Sequence, residues 1–135
     1  KLSHLEFAMI MIDVDHFKEI NDEYGHLVGD RVLQKISSLL TQVSRRQDYI
    51  SRWGGDEFMI LLPAISIEDA KSVANRIRAS VEQTNFSDIF DGEPVTVTCG
   101  VCAHVDRMPV RSILDNVDHA LLAGKQRSRN CISTY

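Results

Sequence analysis

The amino-acid sequence predicts an α+β domain in which helices cover a mostly antiparallel central sheet. Short apolar and β-branched runs that are typical of strands alternate with longer segments whose apolar residues recur at helical spacing. Two strand-like runs also follow one another directly, with only Gly54-Gly55-Asp56-Glu57 between them, which is the pattern of a hairpin. Because a hairpin interrupts the strict strand–helix alternation of a parallel sheet, an antiparallel arrangement is favoured.

The first strand is predicted from the apolar run Phe7–Ile12, which is followed by Asp13 and Asp15. A continuous apolar run of this length is typical of a buried central strand, and the acids at its end indicate that the strand reaches a site. Asp15 is expected to cap a short helix that begins near His16, because its side chain can accept hydrogen bonds from the free backbone amides there.

Helix breakers and a change of period divide the next segment. Asn21-Asp22 and Gly25-His26 are expected to break the short helix, after which apolar residues fall on one face of an amphipathic helix from about Asp30 to Ser44. Strands are then predicted at Asp48–Trp53 and Phe58–Leu62. The paired glycines between these strands suit a tight turn, because such turns need positive φ angles at low steric cost.

The second half of the chain is predicted to contain two helices and two further strands. Ser66-Ile67-Glu68-Asp69 resembles a capping box and opens the first helix. Residues 84–94 are irregular, and Val95–Cys99 alternates β-branched residues in a strand that continues toward His104. The last helix carries apolar residues at helical spacing around Val117, and Ile132–Tyr135 is the candidate final strand.

Length and composition restrict the class of protein. The 135 residues suit one domain over residues 1–135, and 15 Lys and Arg against 19 Asp and Glu give a formal net charge of −4. This acidic balance argues against a nucleic-acid partner, and the lack of a long apolar run argues against membrane contact by the domain itself. The three cysteines form no disulfide framework, so we expect a cytoplasmic domain. Because the chain begins with Lys1, we also expect it to be a piece of a longer protein.

Three acids are the candidate chemical centre. Asp13 ends the first strand, and Asp56 and Glu57 lie in the glycine hairpin, so the acids converge if the hairpin pairs beside that strand. Three carboxylates about 5 Å apart would repel by roughly 3 kcal/mol per pair, a cost that a bound cation offsets. Oxygen ligands of this kind favour Mg²⁺ or Mn²⁺. The alternative interpretation is that these acids are solvated turn residues.

Basic residues that suit a phosphate group accompany the acids. Lys125 and Arg129 are four residues apart near the end of the last helix and project from one face, and Lys18 lies close to the end of the first strand. Gly54 and Gly55 would let backbone amides approach a phosphate. Each feature also has a structural interpretation, since a basic helix end complements the helix dipole and Lys18 by itself is an exposed lysine.

Three blocks of the sequence together resemble one known family. Arg52-Trp53-Gly54-Gly55-Asp56-Glu57-Phe58 is similar to the signature of the GGDEF family, the diguanylate cyclases. The segments Asp13–Asp30 and Asp118–Asn130 resemble the family's first-strand and last-helix blocks. The resemblance therefore extends from about Phe7 to Asn130, and it implies a palm-like fold similar to the catalytic domains of class III nucleotide cyclases.

The resemblance also implies a reaction. Two GTP molecules are joined into cyclic di-GMP with release of two pyrophosphates, in a step that depends on Mg²⁺ or Mn²⁺. Each domain presents one GTP, so an antiparallel homodimer is implied. A non-catalytic receptor for cyclic di-GMP or GTP is the alternative function, and a purely structural signalling module is a third. Tethering of the parent protein to the inner membrane stays open.

Residue by residue, the resemblance assigns the metal site and the chemistry. Asp13, the backbone carbonyl of Val14, Asp56 and Glu57 are the implied metal ligands. Asp56 is also the implied base for the 3′-hydroxyl, and the division of roles between Asp56 and Glu57 stays open. Lys18 is the implied stabiliser of the transferring phosphoryl group.

The remaining nucleotide contacts are assigned in the same way. Asn21 and Asp30 are the implied partners of the guanine edge, with His26 as a further contact on the nucleotide. A carboxylate suits this task because it can accept hydrogen bonds from guanine N1 and from the exocyclic amine, which distinguishes guanine from adenine. Lys125 and Arg129 are the implied partners of the β- and γ-phosphates.

A second, inhibitory site is implied by Arg45-Arg46-Gln47-Asp48. This segment matches the family's Arg-x-x-Asp motif at the same distance before the glycine pair. Arg45 and Asp48, helped by Arg76 of the following helix, are the implied ligands of the cyclic di-GMP product on the face away from the active site. An ordinary surface ion pair would produce the same pattern.

Other positions depart from the family pattern or offer a false lead. We expect the chain to lack the block resembling Asp-x-Leu-Thr-Gly-Leu-x-Asn-Arg-Arg that usually precedes the family's first strand, and any upstream sensor domain. Leu122, Gly124 and Ser128 replace common Tyr, Ala and Gly residues, and Gly124 is expected to loosen its helix by about 1 kcal/mol relative to Ala. Cys99 and Cys102 are three apart in a strand, so they face opposite sides and make a redox or zinc pair unfavourable.

Overall fold

A five-stranded sheet with helices on both faces forms the structure, a computed structural model that describes residues 6–105 and 107–135. The elements in chain order are β1 (Phe7–Val14), α1 (Phe17–Tyr24), α2 (His26–Val43), β2 (Tyr49–Arg52), β3 (Glu57–Pro63), α3 (Ile67–Gln83), β4 (Val97–Ala103), α4 (Val110–Arg127) and β5 (Ile132–Thr134). Among the described residues, no helix combines the length and hydropathy that a membrane span requires.

The strand order β2-β3-β1-β4-β5 places β1 at the centre of the sheet. β1 pairs antiparallel with both β3 and β4, β2 pairs antiparallel with β3, and the β4–β5 pair is parallel. The predicted α+β class with a mostly antiparallel sheet is therefore confirmed. The apolar run of β1 suits the central position, because seven of its eight residues are buried.

Alternate residues of β1 enter two separate cores, as the period of a strand requires. Ala8, Ile10 and Ile12 pack in the larger core, which α2 and α3 cover, whereas Met9 and Met11 pack in a smaller core beneath α4. Cys99 belongs to the larger core and Cys102 to the smaller one, so the two thiols lie on opposite faces as predicted.

Helix α4 lies unusually close to the sheet at Gly100. A Cβ atom added there would lie 2.6 Å from the backbone nitrogen of Leu121 and 2.6 Å from the carbonyl oxygen of Val117. Both atoms belong to the helix backbone, so they cannot move without moving α4. The absence of a side chain at Gly100 thus allows α4 to pack close to β4. This close packing also places Lys125 of α4 near the strand ends.

The helix boundaries after β1 differ from the prediction. Helix α1 continues through Asn21-Asp22, and α2 begins at His26 rather than near Asp30. The break is confined to Gly25, whose φ of 93° is in a region that favours glycine. The prediction was late because His26 and Leu27, the first two residues of α2, are exposed, so the buried face that marks its period begins only after them.

Candidate active site

The three candidate acids meet at one edge of the sheet. Antiparallel pairing of β1 with β3 places Asp13 opposite Glu57, and the backbone amide of Val14 donates to the carbonyl oxygen of Asp56 at 3.2 Å. One carboxylate oxygen from each of Asp13, Asp56 and Glu57 lies within 4.8 Å of the other two. The predicted convergence follows from this register, because the hairpin delivers its acids beside the end of β1.

Burial and crowding make this cluster electrostatically unfavourable by itself. Asp13 is only 5% exposed, and burial raises the pKa of its carboxyl to about 6, with a smaller upward contribution from the charge of Asp56. An ion pair with Lys125 acts in the opposite direction. Burial also raises the pKa of Glu57, and Lys125 again opposes the shift.

The cluster fits a hard divalent cation. Oδ1 of Asp13 is buried and has no hydrogen-bond partner among the described residues, whereas Oδ2 pairs with Lys125. An unpaired buried carboxylate oxygen is costly unless a cation or donor satisfies it. All the candidate ligands are oxygens, which favours Mg²⁺ or Mn²⁺ over softer metals.

The glycine pair of the hairpin is not required by turn geometry. Neither Gly54 nor Gly55 has a positive φ angle, so that part of the prediction is wrong. A Cβ atom at Gly55 would meet no described atom within 4 Å. The guanidinium of Arg52 instead holds the turn by donating to the carbonyl oxygens of Gly54 at 3.3 Å and Gly55 at 2.7 Å. The bare glycines leave open space beside Asp56 and Glu57.

The structure separates the three candidate phosphate cations. Lys125, in the last turn of α4, contacts Asp13 directly. Arg129 lies beyond the end of α4 with a φ of 55°, so the prediction that it shares a helix face with Lys125 is wrong. Its Nη1 lies 3.9 Å from Oδ1 of Asp15. Lys18 is 86% exposed and pairs with Asp22 one turn further along α1, at 3.3 Å. Lys125 therefore joins the acid cluster, whereas Lys18 points into solvent.

The candidate guanine residues lie where α1 meets α2. Oδ1 of Asn21 is buried without a hydrogen-bond partner among the described residues, and it rests against Gly29, where any Cβ would collide with it. Gly29 is thus needed for the position of the Asn21 amide. His26 and Asp30 are exposed in the first two turns of α2.

The Arg-x-x-Asp motif forms a closed pair that anchors the α2–β2 connection. Arg45 donates from Nε and Nη2 to Oδ1 of Asp48, at 3.0 and 2.7 Å, and from Nη2 to the carbonyl oxygen of Pro63 at 2.7 Å. The Asp48 side chain is fully buried and that of Arg45 is one-third exposed. Arg76 of α3 is exposed. Arg45 and Asp48 are therefore part of the folded framework.

Sequence reasoning missed the role of Asp15. The prediction that it caps α1 is wrong, because His16 occupies the N-cap position with a φ of 57° and α1 has no side-chain cap there. Asp15 is instead buried and accepts hydrogen bonds from the hydroxyls of Thr96 and Thr98, at 2.7 and 2.6 Å. The alternation of two threonines in the predicted strand was the available signal.

Known proteins are similar to this chain in sequence and in fold. The diguanylate cyclase DgcP of Pseudomonas aeruginosa is 38% identical over 127 residues, which cover 93% of this chain and 19% of DgcP, so the chain spans about a fifth of that relative. The GGDEF domain of DgcB from Caulobacter crescentus, solved in complex with c-di-GMP, has a TM-score of 0.89 at 27% identity and covers 96% of this chain and 78% of that one.

A second solved structure and a family model agree with this relationship. The active GGEEF domain of a diguanylate cyclase from Vibrio cholerae has a TM-score of 0.88 at 32% identity, with 96% of this chain and 83% of that one covered. Residues 1–131 match the model of the GGDEF domain of diguanylate cyclases. On the strength of its sequence, its sheet topology and its hairpin of paired glycines and acids, the chain belongs to the GGDEF family of diguanylate cyclases.

Proposed function

We propose that this chain is a catalytic diguanylate cyclase domain, which condenses two GTP molecules into cyclic di-GMP and releases two pyrophosphates. The observation that carries the proposal is the meeting of Asp13, Asp56 and Glu57 beside Lys125. Acids and a cation at one edge match the needs of phosphoryl transfer, in which alignment and charge neutralisation dominate. The kinship with named diguanylate cyclases supports the same type of reaction.

The three acids and the backbone carbonyl of Val14 are the proposed holders of Mg²⁺ or Mn²⁺. When bound, such an ion supplies Lewis acidity to the α-phosphate and increases the acidity of the attacking 3′-hydroxyl. Such an ion would satisfy Oδ1 of Asp13, a buried carboxylate oxygen that has no hydrogen-bond partner among the described residues. Asp56 is less buried than Asp13 and is the proposed acceptor of the 3′-hydroxyl proton.

The basic residues are the proposed partners of the triphosphate. Lys125 lies at the acid cluster and Arg129 lies four residues further along the chain, just beyond the end of α4, so together they can extend along the β- and γ-phosphates. Lys18 is the proposed neutraliser of charge on the transferring group. Its exposed ion pair with Asp22 is weak enough to be exchanged for a phosphate. Gly54 and Gly55 leave room for the phosphate chain.

Guanine selection is proposed for the α1–α2 junction. The buried Oδ1 of Asn21 lacks a partner among the described residues and suits a donor on the base. The exposed carboxylate of Asp30 can accept from N1 and the exocyclic amine of guanine, whereas adenine presents no N1 proton. His26 is a proposed additional contact on the nucleotide.

The reaction requires two copies of the domain. Each chain has one acid cluster among its described residues and would present one GTP, whereas the product contains two linked nucleotides. An antiparallel homodimer with a two-fold axis lets each 3′-hydroxyl face the α-phosphate held by the other chain. We propose that the catalytic form is this dimer.

Direct assay of the dimeric protein tests the proposed function. The protein is incubated with GTP and Mg²⁺, and cyclic di-GMP and pyrophosphate are quantified over time. We expect two pyrophosphates for each cyclic di-GMP and no product when EDTA replaces Mg²⁺. GTP binding without any product from the dimer would contradict the enzyme proposal and favour the receptor alternative.

Product inhibition is proposed at the surface that carries Arg45 and Arg76, where the buried Asp48 carboxylate holds the Arg45 guanidinium. The related DgcB domain was solved in complex with c-di-GMP, which makes binding of this nucleotide a reasonable expectation for the family. The closed Arg45–Asp48 pair decides how the site is tested. Removal of the Arg45 side chain would leave the buried Asp48 carboxylate without its cationic partner and destabilise the fold.

Arg76→Ala is therefore the clean probe of the product site. Arg76 is exposed, so its removal is expected to leave the melting temperature unchanged. We expect the affinity for cyclic di-GMP, measured by calorimetry, to fall about tenfold because one charge-assisted contact is lost. Arg46→Ala removes a neighbouring exposed arginine at an unspecified position of the motif and is the matched control. Equal affinities of the wild type and Arg76→Ala would exclude Arg76 from the site.

A further inference from the structure

Asp15 is a buried carboxylate that the proposed reaction does not use. It is 4% exposed and lies two residues beyond Asp13. Its Oδ1 accepts from the hydroxyl of Thr98, and its Oδ2 accepts from the hydroxyl of Thr96 and from the backbone amide of Asn130 at 2.9 Å. A single carboxylate thus ties the end of β1 to β4 and to the segment between α4 and β5.

Asn130 extends this connection to α3. Its side-chain amide donates to Glu82 at 2.8 Å, and its Oδ1 accepts from Arg78 at 3.1 Å. Arg78 and Glu82 also pair with each other at 2.9 Å. Asn130 and the preceding Arg129 both adopt positive φ angles, of 44° and 55°. Non-glycine residues rarely adopt this conformation, so the surrounding contacts must hold the segment in it.

Arg129 is therefore held from both sides. Its backbone amide donates to the carbonyl oxygen of Gly124 at 3.1 Å, which continues the end of α4, and the next residue, Asn130, is anchored to Asp15 and α3. The guanidinium itself is 40% exposed, and its Nη1 lies 3.9 Å from Oδ1 of Asp15. Asp15 thus anchors the backbone next to Arg129, and its negative charge also attracts the Arg129 guanidinium.

We propose that Asp15 and Asn130 are positioning residues, which set the guanidinium of Arg129 at a fixed distance from the acid cluster so that it meets the distal phosphates of the nucleotide. This inference rests on the proposed function. Asp13 and Asp15 lie on one short stretch of chain, so the same backbone carries a proposed metal ligand and the anchor of the phosphate cation. This arrangement sets the position of the Arg129 guanidinium relative to the metal ligands, and Asp15 itself does not contact the nucleotide.

Comparison of a triphosphate with a monophosphate tests this role. The α,β-methylene analogue of GTP, whose P–C–P bridge cannot be cleaved to release pyrophosphate, and GMP are titrated with Mg²⁺ into the wild type, Asp15→Asn, Arg129→Ala and the double variant. We expect Asp15→Asn to lower the affinity for the analogue about tenfold and the affinity for GMP less than twofold. Because Asp15 acts through Arg129, the double variant should bind the analogue no more weakly than Arg129→Ala alone.

A second variant separates the anchor at Asp15 from the anchor at α3, and it keeps the proposal testable if Asp15→Asn does not fold. Asn130→Gly retains the left-handed backbone and the amide that donates to Asp15, but it loses the contacts with Arg78 and Glu82. We expect a smaller loss, with the same preference for the analogue over GMP. Hydrogen exchange at the Asn130 amide reports the anchor without any ligand, and it should be slow in the wild type and faster in Asp15→Asn.

The outcomes distinguish this inference from the function on which it rests. Three results would each overturn the positioning role alone. They are an equal loss of affinity for the analogue and for GMP in Asp15→Asn, additive losses of affinity in the double variant, and fast hydrogen exchange of the Asn130 amide in the wild type. Failure of the wild type to bind the analogue at all would overturn the proposed function, and the positioning role with it.

Discussion

Asp56→Asn is expected to lower the rate of cyclic di-GMP formation about 10²- to 10⁴-fold, the usual effect of losing a general base. The fold should survive, because the hydrogen bond that ties residue 56 to Val14 of β1 uses the backbone carbonyl, which the substitution retains. Loss of the negative charge also relieves repulsion of Asp13, so the melting temperature of the metal-free protein should stay the same or rise. Initial rates with saturating GTP and Mg²⁺, and a thermal melt, measure the two effects.

A matched acid substitution provides the control for this loss. Asp91 is an exposed acid outside the acid cluster, and its backbone carbonyl rather than its side chain accepts a hydrogen bond from Tyr24. Asp91→Asn should therefore retain the wild-type rate. Turnover by Asp56→Asn within a few-fold of the wild type would show that the hairpin acid does not carry the chemistry.

Gly100→Ala is expected to destabilise the protein by about 1–3 kcal/mol, because the added methyl group overpacks the interface of α4 and β4. The two nearest atoms would be backbone atoms of α4 at 2.6 Å, so side-chain rotation cannot relieve the contact. Displacement of α4 also moves Lys125 away from Asp13, and we therefore expect cyclase activity to fall as well. Urea denaturation monitored by circular dichroism measures the stability change.

Gly55→Ala is the control for the effect of adding a methyl group. Its Cβ would meet no described atom within 4 Å, and its φ angle is not positive. The free energy of unfolding should change by less than about 0.5 kcal/mol. Equal stability of Gly100→Ala and the wild type would contradict the close packing of α4 against β4 at this position.

The central strand and the acid cluster were accessible from sequence because both follow from local patterns. The apolar run before Asp13 predicts a buried strand, and the glycine hairpin predicts a neighbouring pair of strands that carries Asp56 and Glu57. Antiparallel pairing then brings the acids together whatever the details of the turn. The turn itself was explained wrongly, because neither glycine has a positive φ angle. A Cβ atom would make only ordinary van der Waals contact with Glu57 at Gly54 and would meet no described atom within 4 Å at Gly55.

Features that depend on distant partners were not accessible. Asp15 bonds to Thr96, Thr98 and Asn130, which are more than 80 residues away, whereas the sequence suggested only a local cap. Arg45, which pairs with Asp48, also donates to the carbonyl oxygen of Pro63 at the end of β3. Short-range periodicity contains no information about such contacts.

Gly124 illustrates how tertiary contacts override a local propensity. From sequence alone it loosens α4 relative to Ala. In the structure a Cβ at this position would lie 2.8 Å from Cγ2 of Thr98 and 3.4 Å from Sγ of Cys131. Thr98 is fully buried and bonded to Asp15, so it has little room to move. The glycine therefore allows α4 to contact β4 and the start of the last strand, and it is better understood as a packing residue.

Anomalous diffraction from crystals grown with Mn²⁺ and the α,β-methylene analogue of GTP tests most directly whether this sheet edge binds a divalent ion. We expect a manganese peak at coordination distance, roughly 2.0–2.3 Å, from a carboxylate oxygen of Asp13 and from at least one of Asp56 and Glu57. An ion that is bound to the nucleotide yet touches none of these three carboxylates would contradict the account.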